Sequence, residues 1–170
     1  MMSRGVKAPE LTVASWLNTT EPLVLEKLKG KLVVLHAFQM LCPGGVSHGL
    51  PQAAAINELY RRDEVQVIGL HTVFEHHSVM TADALAAFVH EYGLTFPIAV
   101  DLPSASGPIP RMMEKLNLQG TPSLVLIDKA GVIRLSHFGR ISDMQVGNMI
   151  GQLLMEETMP EKVRERKGEH

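Results

Sequence analysis

Cys42 is the single thiol of a 170-residue chain, and its surroundings suit chemistry more than packing. It stands in Phe38-Gln39-Met40-Leu41-Cys42-Pro43-Gly44-Gly45, directly after an apolar run from Lys31 to Phe38 whose length and branched residues fit a buried strand. The residues after Gly45 have helical spacing, which predicts the sulfur at a helix N-cap. First-turn amides have no partner within a helix and the dipole is positive at that end, so a thiolate is favoured there over a thiol. Pro43 loses no hydrogen bond at the first helical position, and Gly44 and Gly45 leave the amides around the sulfur uncovered. The competing reading is a buried structural cysteine, the usual fate of a lone thiol.

Other residues could add to this chemistry. His71, Glu75, His76 and His77 gather at a strand end and its loop, and such nitrogen and carboxylate donors could hold zinc or another divalent ion. Their spacing fits no established metal site, so a polar loop near the site rim is the preferred reading and no metal is expected. Met40 and Leu41, just ahead of the N-cap, could form an apolar lip of the substrate groove. The ten methionines otherwise read as core filler. Gly120-Thr121-Pro122, from its residues alone, is a turn before a strand, and His36 is a core histidine in the middle of one.

The length allows one full core and not two, so residues 1–170 are expected to hold one domain over about 8–157 and a charged, frayed tail over about 158–170. A net charge of -2, a pI near 6.4 and no basic stripe argue against a nucleic acid partner. Residues 1–13 contain no signal-peptide core and no later run has membrane-spanning length, which predicts a cytoplasmic protein without membrane contact. One cysteine cannot close an internal disulfide.

The elements that would position these residues follow from pattern. Trp16 to Thr20 read as irregular, Leu23-Val24-Leu25 as a short edge strand, and the segment after Cys42 as a helix to about Arg62 bent by Pro51. Val65 to Leu70 reads as a buried parallel strand, which with the preceding strand and helix makes a right-handed βαβ unit. Thr81 caps a helix over 82–91, Phe96 to Val100 is a strand, and Pro110 opens a short helix through Leu116. Ser123 to Ile127 and Val132 to Phe138 form a hairpin. Ser142 with Gln145 is a capping box, and Ile141 with Val146 a hydrophobic staple, for the last helix.

The strand, the Cys-Pro-Gly segment and Gly120-Thr121-Pro122 followed by Ser123-Leu124-Val125-Leu126-Ile127-Asp128-Lys129-Ala130-Gly131 together resemble the thioredoxin-like superfamily, most closely its TlpA-like thiol-disulfide oxidoreductases and redoxins. The resemblance runs from Ala8-Pro9-Glu10-Leu11 to about Glu157 and implies an α/β fold with a central mixed sheet flanked by helices. It implies a cis bond before Pro122, facing Cys42, with the Thr121 backbone pairing to an extended substrate. It also sets His36 where dithiol relatives often carry a buried acid, so His36 could accept or relay a proton. Two positions depart from the pattern: Gly45 replaces the resolving cysteine of Cys-x-x-Cys, and Leu41 replaces a common tryptophan. The implied activity is attack of Cys42 on a disulfide-containing protein or small thiol substrate to form a mixed disulfide. Glutathione or another low-molecular-weight thiol would release it, with no bound cofactor. Alternatives are a dithiol enzyme whose second cysteine was engineered away, a one-cysteine peroxidase, and a redox-inactive peptide-binding module. Phe38-Gln39-Met40-Leu41 lacks the proline and hydroxyl residue of the peroxidases.

Overall fold

Two apolar stretches, buried at every position, form the centre of the sheet: β2 (Leu32–Phe38) and β3 (Val65–His71). The structure is a computed structural model and describes residues 5–157; the tail expected over 158–170 lies outside them. β2 and β3 run parallel in register from Leu32 beside Val65 to Phe38 beside His71. Such runs, apolar on both faces, need helices on either side. β4 (Ile98–Asp101) adds parallel to β3, while β5 (Ser123–Ile127) and β6 (Ile133–Phe138) add antiparallel beyond β2. With β1 (Val13–Leu17) antiparallel on β4, the order is β1-β4-β3-β2-β5-β6.

The helices cover both faces. On one, Phe38, Leu50, Ile56, Leu85, Phe96 and Ile150 join α1 (Leu50–Leu59), α2 (Ala82–Glu91) and α4 (Asp143–Met155) to the sheet. On the other, Leu35, Ile68, Leu70 and Val125 pack on Met112 of α3 (Arg111–Lys115) and on Leu25. Each large side chain buried this way contributes about 1.5–3 kcal/mol, which fixes the strand ends that carry the site.

Several boundaries follow their caps. Thr81 Oγ1 accepts the Ala84 amide at the start of α2, and Ser142 and Gln145 make the expected reciprocal box at the start of α4, where Ile141 packs against the core cluster that holds Val146. Other expectations need correction. Of the segment expected to be irregular, Trp16 and Leu17 instead end the edge strand β1, because they pair with β4, while Asn18 to Thr20 are irregular; Asn18 ends the strand with a positive φ and its side chain donates to the Leu94 and Phe96 carbonyls. Leu25–Leu28 form a 3-10 turn, not the end of an edge strand at Leu23-Val24-Leu25, because the Glu10 carboxylate accepts the amides of Leu25 and Glu26. The helix after Cys42 stops at Leu59 and its irregularity precedes Pro51: Gly45–Gly49 is a π-helical turn, with the Leu50 amide bonded to the Gly45 carbonyl. Pro51 has no amide to donate backwards, and the wide turn lies just ahead of it.

Candidate functional site

The strand register brings the site together. Ala37 pairs with Ser123, so the segment leaving β2 faces the segment entering β5. Cys42 immediately precedes the helical residues Pro43 and Gly44 and is partly exposed. The Cys42 amide donates to the Gln39 carbonyl and the Cys42 carbonyl accepts the Val46 amide, which closes the turn that presents the sulfur. The Cys42 thiol donates to the Thr121 carbonyl at 3.4 Å.

The Thr121–Pro122 peptide bond is cis. A Cβ on Gly44 would lie 3.3 Å from Pro122 Cδ, so the glycine lets the helix start close against the proline ring. The Gly139 amide donates to the Pro122 carbonyl and the Ser123 hydroxyl to the Gly120 carbonyl, so both ends of the 120–122 segment are tied. The Thr121 amide has no hydrogen-bond partner among the described residues.

Gly45 is buried, yet a Cβ there would meet Phe38 Cβ at 3.5 Å and the Gln39 carbonyl at 3.9 Å, which is ordinary contact. Met40 is only partly exposed and packs against the core, so it does not stand out as a lip; Leu41, 56 % exposed, does.

His36 lies inside β2, 3 % exposed and stacked with Phe38. A Cβ on Gly49 would fall 2.3 Å from its Cε1, so the π-helical turn rests directly on the imidazole. Its Nε2 is buried with no partner, and no hydrogen bond joins the ring to Cys42 among the described residues. Burial, with a smaller push from His48, lowers its pKa to about 4, so the ring is neutral at neutral pH.

The loop candidates do not converge. His71 is buried and its Nε2 accepts the Met40 amide at 3.2 Å, whereas Glu75, His76 and His77 are exposed. His76 faces Glu75 at 4.0 Å and His77 bonds the Pro108 carbonyl. Among the described residues no three His, Cys, Asp or Glu side chains are grouped to hold a metal.

Two residues escape a reading of the sequence. Gln39, 2 % exposed, donates to Thr121 Oγ1 and accepts the Phe74 amide, tying the segments before Cys42, before Pro122 and after β3 together. A lone glutamine before a loop carries no local signal of this role. Phe138, half exposed at the end of β6, lies over Gly120, whose Cβ would come within 2.9 Å of the ring. Its apolar character was visible in the hairpin, but its neighbour was not.

No helix among the described residues is long and apolar enough to cross a membrane. The family model for Redoxin matches residues 3–150. A crystal structure of a thioredoxin-like superfamily protein is 49% identical, with a TM-score of 0.88 over 91% of this chain and 99% of that one. A thiol-disulfide isomerase from Corynebacterium glutamicum is 50% identical, with a TM-score of 0.84 over 88% of this chain and 98% of that one. NHL repeat-containing protein 2 of Homo sapiens is 31% identical over 127 residues, 73% of this chain, and the chain spans 16% of that protein. With this sheet order, this cysteine segment and these relatives, the chain belongs to the redoxin family and has a thioredoxin-like fold.

Proposed function

We propose that the protein is a monothiol thiol-disulfide oxidoreductase in which Cys42 is the nucleophile. The observation that carries this reading is the partly exposed Cys42 thiol beside the Thr121 carbonyl and a proline ring, with the adjacent Thr121 amide unpartnered among the described residues. The similarity to a thiol-disulfide isomerase supports the reaction class. An extended substrate strand pairs with Thr121 while Leu41 offers apolar contact beside the sulfur.

The step is exchange between sulfurs. The Cys42 thiolate attacks one sulfur of the substrate disulfide, a Cys42–substrate disulfide forms, and the other substrate sulfur leaves as a thiolate. A dithiol relative would complete the reaction from position 45. Here Gly45 offers no second sulfur, so an external thiol, glutathione or another small one, attacks the mixed disulfide and returns Cys42 to its reduced form. His36, sealed under Gly49, takes no direct part; it supports the helix that presents Cys42. Incubation of the reduced protein with glutathione disulfide, followed by intact mass measurement, tests the reading. One glutathionyl adduct, absent from Cys42→Ser, is expected.

A further inference from the structure

His71 also borders a cavity of about 410 Å³ at the carboxyl ends of the parallel strands β3 and β4. Ligand cavities commonly have this size, and open α/β sheets commonly bind at this end of their strands. Its walls are largely apolar, with Val73, Met80, Val100 and Pro108 among them, and Ala14 and Ser15 of the edge strand complete the mouth.

One ring nitrogen in the wall has no hydrogen-bond partner among the described residues. His71 is 2 % exposed, and because its Nε2 accepts the Met40 amide, the ring proton is on Nδ1. Burial also lowers its pKa to about 4, so it stays neutral at neutral pH. That Nδ1–H has no partner among the described residues and is not among the fully buried unpartnered atoms, and His71 borders this cavity. A nearly buried donor without a partner is costly to leave unmet.

Charge narrows the occupant. Asp101 also borders the cavity, but it accepts the Thr72 hydroxyl and the amides of Leu102, Met112 and Met113, so its acceptor sites are engaged within the protein. Among the described residues no lysine or arginine lines the space, and the exposed His77 already bonds the Pro108 carbonyl. A buried carboxylate with no facing cation disfavours an anionic ligand.

We infer that this cavity is a binding site for a small uncharged molecule with an apolar body and a carbonyl oxygen that accepts the Nδ1–H of His71. The site is separate from the thiol chemistry of Cys42, yet joined to it: the same imidazole holds the Met40 amide, two residues before the cysteine. A hydrogen bond accepted from Nδ1–H polarises the ring and strengthens Nε2 as an acceptor, so occupancy tightens the segment that carries the sulfur.

Acetanilide, an aromatic ring bearing a neutral amide, serves as the probe, with benzoate as an anion of similar size. Titration is followed by NMR at the His71 imidazole nitrogens and the Met40 amide. Saturable shifts at both are expected with acetanilide, in the chain itself and equally in Cys42→Ser, so loss of the thiol reading would leave this one standing. Benzoate is expected to bind at least about tenfold more weakly. Ala14→Trp and, independently, Ala82→Trp place an indole at the cavity wall from exposed positions, so that folding is retained, and each is expected to weaken acetanilide by at least about tenfold. Absence of a saturable shift at His71, equal binding of benzoate, or full binding in both tryptophan variants overturns the inference.

Discussion

His36 is a neutral imidazole held where a charge would be desolvated, and this has a measurable consequence. Its folded pKa of about 4 lies below the ordinary 6.5, and His71 shows the same displacement, in both cases first through burial. As the pH rises above 6.5 the rings become neutral in the unfolded chain as well as the folded one, so their titration no longer changes stability. As the pH falls from 6.5 toward about 4 the unfolded chain takes up protons that the native state refuses, and stability drops. Each ring contributes a slope of up to about 1.4 kcal/mol per pH unit in that window. Urea denaturation at a series of pH values should show this decline. His36→Leu should remove one ring's share of it. At pH 7 the same variant should change stability by less than about 1 kcal/mol, because it loses ring packing and also an unpartnered buried nitrogen. An unchanged slope in His36→Leu would mean that the ring is not kept neutral by burial.

At the scale of elements, the π-helical turn Gly45–Gly49 and β2 are fitted to each other through one contact. Gly49→Ala drives a methyl into the His36 ring and should cost about 1–3 kcal/mol, whereas the same change combined with His36→Ala should cost less than the sum of the two single changes. Thermal or urea unfolding of the four proteins measures this coupling, and strict additivity would contradict the contact. The fit was not legible in the sequence, since nothing in Gly49 or His36 alone announces that they meet. The caps at Thr81 and Ser142 were legible, because their chemistry is complete within four residues. β1 was not: Ala14 and Ser15 are exposed on an edge strand, and only pairing with β4, far along the chain, makes the segment extended. Leu23-Val24-Leu25 has strand composition, but the decision was made by Glu10, fifteen residues earlier, which caps the turn that begins at Leu25.

Across the whole molecule, the site exists because three distant segments are fastened at Gln39. The cysteine was readable from its local sequence and the Thr121-Pro122 pair through the family resemblance, but the glutamine that joins them acts across 82 positions and leaves no pattern in sequence. Gln39→Ala frees Thr121 Oγ1 and the Phe74 amide together, so it should destabilise the fold by about 1–3 kcal/mol and slow attack by Cys42 on glutathione disulfide, read by stopped alkylation at fixed pH. An unchanged rate would separate Gln39 from presentation of the thiol. The central claim is that Cys42 performs disulfide exchange and that Gly45 alone denies it an internal release. Gly45→Cys tests both parts, since the position is buried with room for a side chain and lies one turn from Cys42. The decisive measurement is the intact mass of each protein after exposure to glutathione disulfide and removal of excess reagent. The chain itself should carry one lasting glutathione on Cys42, and Gly45→Cys should carry none and be two hydrogens lighter through a disulfide between Cys42 and the introduced thiol. No adduct on Cys42, or a persistent adduct on Gly45→Cys without an internal disulfide, would contradict the account.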